Sequence, residues 1–234
     1  MRVLVEGNVM ENSWVHAQNG FAAVWWATDQ SGSAPWATTC DITFRYNRVD
    51  NVSGGILLTA QGDRTVNPAM TRVTIQQNVF TNVGGPSVGA NGRLFWLAGP
   101  LTNVVIEHNT AFAPVSSVFF DGTTPSLPGL AVHNNILGDG EYNVYSSRGQ
   151  GIAAIEAFAG TSAAMQGNVF VKPSWVNYGT ANYTTESVGN VGFSGWPQDA
   201  RLGSNSPYRG KATDGRDPGV DADAFARATQ GVKQ

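Results

Sequence analysis

Asparagine returns along this chain in the same company. The phrases VLVEGNVMEN, ITFRYNRVDNV, VTIQQNVFTNVG, VVIEHNTAF, LAVHNNIL and AAMQGNVF align on Asn8, Asn47, Asn78, Asn109, Asn135 and Asn168, at intervals of 39, 31, 31, 26 and 33 residues. A repeat of that period belongs to a solenoid, a propeller or an array, so every other reading depends on it. Five and three residues before the asparagine stand Val3/Val5, Ile42/Phe44, Val73/Ile75, Val104/Ile106, Leu130/Val132 and Ala163/Met165. Alternation with period two is a strand with one buried face. A second apolar run opens just after the asparagine, as in Val79-Phe80 and Val169-Phe170, which puts the asparagine at a bend between two strands. Asparagine suits a bend because it tolerates left-handed backbone angles and bonds its own backbone locally. Identical amides stacked about 4.8 Å apart can also bond one another in a ladder. Asn12, Asn51 and Asn82, four residues on, predict a second, shorter ladder.

A third strand per repeat is readable in GFAAVWWA, GGILLTA, GRLFWLA and SSVFFDG. Three strands and their bends make one coil, which cannot bury its apolar face until neighbours stack on it. Six repeats and a terminal segment predict about seven coils, a rod on the order of 30 Å long at ~4.8 Å per coil. A propeller blade would need four strands joined by antiparallel hairpins, and the two-residue hairpin signals are missing. The expected organisation is one all-β domain, with coils over 1–203 and a capping segment over 204–234 that covers the last coil with Phe225 as its apolar plug.

Composition narrows the function classes. Charged residues are 13% of the chain, about half the usual share, which favours strands and tight turns over surface helices. A net charge of −3 without a run of like charges gives no field for wrapping nucleic acid. The single cysteine, Cys40, excludes an internal disulfide. No window approaches the roughly 18 uninterrupted apolar residues of a membrane span, so no membrane partner is expected. The first residues do not form a signal peptide, because the apolar stretch breaks at Glu6 and runs straight into the first repeat. The expectation is a fragment of a longer secreted protein whose uncapped first coil is open to self-association.

On these residues the chain resembles the right-handed parallel β-helix superfamily, which includes pectate-lyase-like and polygalacturonase-like proteins. The resemblance covers about residues 3 to 172. The stretch RLGSNSPYRGKATDGRDPGVDADAF is similar to the closing segment of bacterial extracellular β-helix proteins. The resemblance implies a right-handed, single-stranded helix of coils, an extracellular or cell-surface location and a carbohydrate partner. It does not carry catalysis over: the chain has neither the paired-aspartate and Gly-His-Gly set of polygalacturonases nor the Arg-Pro-x-x-Arg phrase of pectate lyases.

The surplus residues gather at one junction, between the third strand of a coil and the asparagine strand of the next: 27–41, 61–72 and 121–129. Stacked insertions wall a groove. Its floor, two residues before each asparagine, reads Glu6, Arg45, Gln76, Glu107, His133 and Gln166. One reading is an ordinary solvated face. The other is a saccharide site, with Arg45, Glu107 and His133 as catalytic candidates, and Trp36, Arg45, Gln76, Asp63 and Asp121 as binding residues, with Trp25 or Trp96 offering stacking surfaces. Glu6 and Glu107 lie three coils apart, roughly 14 Å, too far for the ~6.5 to 9.5 Å of an inverting glycosidase. Asp63 and Asp121, two coils apart on rim loops, come nearer that distance. Elimination from a uronic acid needs a base at the α proton and a cation on the carboxylate, roles that fit His133 and Arg45. His16, His108 and His133 lack a shared ligand spacing, and no cofactor is expected. Calcium is the metal the chemistry would admit, although Asp214, Asp217, Asp221 and Asp223 miss the EF-hand spacing. The expected function is binding of an acidic polysaccharide along the groove. Two alternatives stand beside it: a polysaccharide lyase or glycoside hydrolase, and a structural spacer.

Overall fold

Where the sequence alternates, the chain runs as short strands, three to a coil. The computed structural model describes residues 2–14, 16, 20–26, 34–60, 68–89, 91–122, 127–161, 163–172 and 175–232. Strands β1 (Val3–Glu6), β2 (Val9–Ser13) and β3 (Phe21–Trp26) form the first coil, and β4 (Cys40–Arg45), β5 (Arg48–Val52) and β6 (Gly54–Thr59) the second. The third holds β7 (Met70–Gln76), β8 (Val79–Val83) and β9 (Arg93–Ala98), and the fourth β10 (Leu101–Glu107), β11 (Thr110–Phe112) and β12 (Ser116–Asp121). The fifth holds β13 (Ala131–His133), β14 (Ile136–Gly138) and β15 (Tyr142–Ser146), followed by the short β16 (Gly149–Gln150), antiparallel to β15, and helix α1 (Ile152–Ala159). Strands β17 (Ala164–Gln166) and β18 (Val169–Val171) continue the stack, and β19 (Tyr183–Thr185) begins a last, partial coil. Equivalent strands pair in parallel to give three sheets: β1-β4-β7-β10-β13-β17, β2-β5-β8-β11-β14-β18-β19, and β3-β6-β9-β12-β15 with β16 at its edge. This is the all-β parallel β-helix the repeat predicts.

The pairs at −5 and −3 point inward from the second coil to the fifth. Ile42, Phe44, Val73, Ile75, Val104, Ile106, Leu130 and Val132 are all buried, as is Met165 in the sixth, and each full burial contributes roughly 1.5 to 3 kcal/mol before entropy is subtracted. Val3, in the first coil, is 38% exposed. The asparagines form the expected ladder. From Asn47 onward, each Oδ1 accepts from both the backbone N–H and the Nδ2 of the asparagine one coil earlier, as Asn135 Oδ1 does from Asn109 at 2.9 and 3.0 Å. The left-handed angle, however, belongs to the residue before the asparagine: Gly7, Tyr46, Gln77, His108, Asn134 and Gly167 all have positive φ. The turn is made one residue earlier, which frees the amide to bond along the stack. Asn12, Asn51 and Asn82 are themselves left-handed, and Asn51 Nδ2 donates to Asn12 Oδ1 at 2.8 Å. In that column Asp139 and Lys172 substitute an ion pair at 3.2 Å.

The tail lies elsewhere than expected. The C-terminal end of the core is closed by Tyr178, whose ring stacks on Phe170 at 4.3 Å, and by α1, whose Phe158 stacks on Phe120 at 5.6 Å. After a single 3-10 turn (Val188–Val191) and the hairpin β20 (Phe193–Gly195) with β21 (Asp199–Leu202), the chain turns back along the side of the rod. Thr213 bonds Asn134, Gly219 bonds His108, Val220 bonds Thr110 and Asp221 bonds Gln77. Helix α2 (Ala222–Ala228), capped by Asp221, brings the Ala228 carbonyl against Gly7 in the first coil. Phe225 is therefore no end plug; it packs on Val79, Ala200 and Val220 beside Tyr46 and Trp196. The physical reason is the outward side of the second sheet, where Val79, Ile136, Val169 and Val171 form an apolar strip that the tail and hairpin cover.

Candidate functional site

Two sheet faces remain to be weighed. On the first sheet the floor column is stacked in register, Glu6 beside Arg45, then Gln76, Glu107, His133 and Gln166. Its charges face one another. Arg45 Nε lies 2.9 Å from Glu6 Oε1, though without the alignment of a hydrogen bond, and His133 Nε2 lies 3.5 Å from Glu107 Oε2. Burial lowers the His133 imidazole below its ordinary value; Glu107 opposes that, the neighbouring His108 adds to it, and Asp214 opposes it weakly. Gln76 and Glu107 separate Arg45 from His133 by three coils, roughly 14 Å. One uronic acid would not reach both, so the column does not bring together a carboxylate clamp and a base.

The rim residues divide. Trp36 stands 73% exposed on the stretch entering β4. Asp63 lies outside the described residues. Asp121, at the end of β12, accepts from the Trp96 indole N–H at 3.2 Å, which ties it to the third sheet.

On the outward face of that third sheet, Val24, Leu57, Trp96, Phe119 and Tyr145 stack in register. Alternation places them outward because their neighbours Leu58, Leu97 and Phe120 fill the core. Trp96 and Phe119 meet edge to face at 5.3 Å, Phe119 and Tyr145 stack at 5.5 Å, Tyr142 lies on Tyr145 at 4.7 Å, and Phe21 reaches Trp96 at 5.8 Å. Arg93 sits in the middle, its guanidinium carbon 4.9 Å from the Trp96 ring centre and 4.8 Å from that of Phe119. Among the described residues it has no carboxylate partner, and its Nε is buried without a hydrogen bond. At one end Trp26 is 41% exposed. At the other, Tyr142 joins Glu141, Gln150, Lys172, Glu186 and the exposed Trp175 around a concavity of about 490 Å³. No protein-family model, curated protein or solved structure matches the chain.

The stripe was within reach of the sequence. Aligning RLFWLA, SSVFFDG and YNVYSS as the asparagine strands are aligned brings Trp96, Phe119 and Tyr145 into one column, but the short third strands have no fixed asparagine to set their register. Asn182 was missed for a related reason. It is the next rung, accepting from Asn168 N–H and Nδ2 at 3.0 and 2.9 Å, yet it follows by only 14 residues and lacks the alternating pair before it. Among the described residues, no three His, Cys, Asp or Glu side chains gather to hold a metal ion.

Proposed function

We propose that the protein is an extracellular or cell-surface β-helix that binds an acidic polysaccharide without cleaving it, and that the saccharide lies along the outward face of the third sheet. The observation that carries this reading is Arg93, a guanidinium with no carboxylate partner among the described residues, set among partly exposed rings. A stacked guanidinium keeps outward N–H groups in a planar fork that matches a carboxylate or sulfate. Aromatic neighbours lower the local dielectric and offer apolar surface to a sugar ring. The repeat adds a geometric reason, because stacked coils present a side chain every ~4.8 Å along a straight line, the kind of surface an extended chain can follow. The pectate-lyase-like resemblance of the sequence also favours a carbohydrate partner.

The test is a panel of acidic and neutral polysaccharides, read by affinity electrophoresis and calorimetry and, in parallel, by release of reducing ends and unsaturated uronates. Binding to acidic members without product, weakened about tenfold in Arg93→Ala, is the expected result. Product formation would replace the reading by the lyase or hydrolase alternative. Unchanged binding in Arg93→Ala would remove the third-sheet face from consideration, and no binding anywhere in the panel would favour a structural spacer.

A further inference from the structure

The strap, residues 209–229, crosses the bend between the first and second sheets, and the column beneath it is polar and buried: Gln77, His108 and Asn134 are 7%, 3% and 2% exposed. Two of these are matched in the ordinary way. Asp221 N–H donates to Gln77 Oε1 at 2.7 Å, and Thr213 donates to Asn134 Oδ1 from its N–H at 2.8 Å and its hydroxyl at 3.1 Å. His108 differs, because both of its ring nitrogens face acceptors. Nδ1 lies 3.1 Å from the Gly219 carbonyl oxygen and Nε2 lies 3.1 Å from Asp214 Oδ2. A neutral imidazole has one N–H, while a carbonyl and an ionised carboxylate can only accept. Both contacts are hydrogen bonds only when the ring carries two protons.

Asp214 is ionised across the relevant range. Partial burial alone would raise its carboxyl, but the backbone N–H and guanidinium of Arg216, with His108 beyond them, bring it down to about 2. Other charges face the ring from farther away. His133 stands one coil on, and across a cavity of about 510 Å³ lie Arg201, Arg209, Arg216, Asp217, Asp221 and Asp223. Arg201 is paired with Asp199 and Asp223, Arg209 with Asp217 at 3.7 Å, and Arg216 with Asp214. Among the described residues, Asp214 is the acid in bonding contact with the ring.

We infer that His108 is a proton-dependent latch for the C-terminal strap. With two ring protons it ties Gly219 and Asp214 to the fourth coil; with one, a nitrogen lone pair faces an oxygen lone pair in a buried site, and the strap between 213 and 221 loosens. The strap is held while the ring carries its second proton and loosens when that proton is lost, and about pH 5 to 8 is the range over which to look for the change.

The experiment follows the His108 ring by its ¹⁵N shifts across that range, together with amide exchange of Gly219, Val220 and Asp221 corrected for intrinsic rates. Ladder amides such as that of Asn109 report global opening. The expected result is a doubly protonated ring on the acid side and a rise of about tenfold in strap exchange on the alkaline side, with the ladder amides unmoved. In Asp214→Asn the side-chain amide can donate to a neutral Nε2, so the pH response should vanish; in His108→Asn nothing titrates, and it should vanish again. A ring that stays neutral beneath a docked strap on the acid side, wild-type exchange that is flat with pH, or an Asp214→Asn variant that keeps the full response would each overturn the latch.

Discussion

Two polar columns climb the same coils, two residues apart in each. The asparagine column is buried from Asn47 to Asn168, and each of these amides donates to the next rung and lies against backbone carbonyls of its own coil and the one before: Asn109 Nδ2 reaches Asn135 Oδ1, Glu107 O and Ile75 O at 2.9 to 3.0 Å. The Glu6–Arg45–Gln76–Glu107–His133–Gln166 column faces outward, and its charges are matched only as the pairs Glu6–Arg45 and Glu107–His133, whose side chains are about a quarter to a third exposed. Polarity alone does not separate the two. What separates them is whether water can take over when a partner is lost, and that turns on which side of the strand the residue occupies.

The sharpest way to break the comparison is at the middle of the inner column. Asn109→Ala leaves the Asn78 backbone N–H without its acceptor, and takes one bond each from Asn78 Nδ2 and from the carbonyls of Ile75 and Glu107, in a dry site. Urea denaturation should show a loss of about 2 to 4 kcal/mol. Asn8, the exposed first rung, lies where water can substitute, and Asn8→Ala should cost less than about 1 kcal/mol. Equal losses at the two rungs would mean that burial is not what gives the ladder its strength.

Much of this inner architecture is legible in the sequence, since the asparagine interval, the alternating pairs and the third strands are local patterns repeated often enough to reinforce one another. The strap is not. Its bonds join residues far apart, such as Asp221 with Gln77, and its own stretch has no period, so no pattern announces where it docks. The candidate site was half legible: Trp96 and Asp121 could be named as saccharide contacts, but their joining, and the position of Arg93 over the rings, depend on the register of the third sheet. The charged column drew attention instead because ionisable residues in a row look like chemistry until their pairing is known.

The next effects compare the two outward faces. Arg93→Ala should weaken saccharide binding about tenfold, with the loss shrinking as salt rises. Arg45→Ala should change binding less than about twofold, and stability by under about 1 kcal/mol, because its Glu6 partner is exposed enough to be hydrated alone. Reversed sizes would return the site to the first sheet. The comparison also holds within one residue type: Arg93→Lys keeps the charge but loses the planar fork over Trp96 and Phe119, and should recover only part of the affinity.

The smallest expected effect separates His133 from its neighbour. Burial, reinforced by His108, holds the folded imidazole of His133 below its ordinary value against the pull of Glu107. The unfolded chain then binds the proton more readily than the folded one, so the contribution of His133 to stability is complete above the unfolded value and is lost as pH falls toward the folded one. Denaturation of wild type and His133→Gln at several pH values should show the variant losing less stability on the acid side, by about 0.5 kcal/mol, the scale of an exposed pair. A variant that loses more would mean that the Glu107 contact outweighs burial and that the outer column is a true ion-pair ladder. The sign also runs against that of the strap, whose hold is strongest on the acid side. Two histidines in adjacent coils should therefore answer the same change of pH in opposite directions, because His133 meets one carboxylate at the edge of solvent while His108 is enclosed between two acceptors.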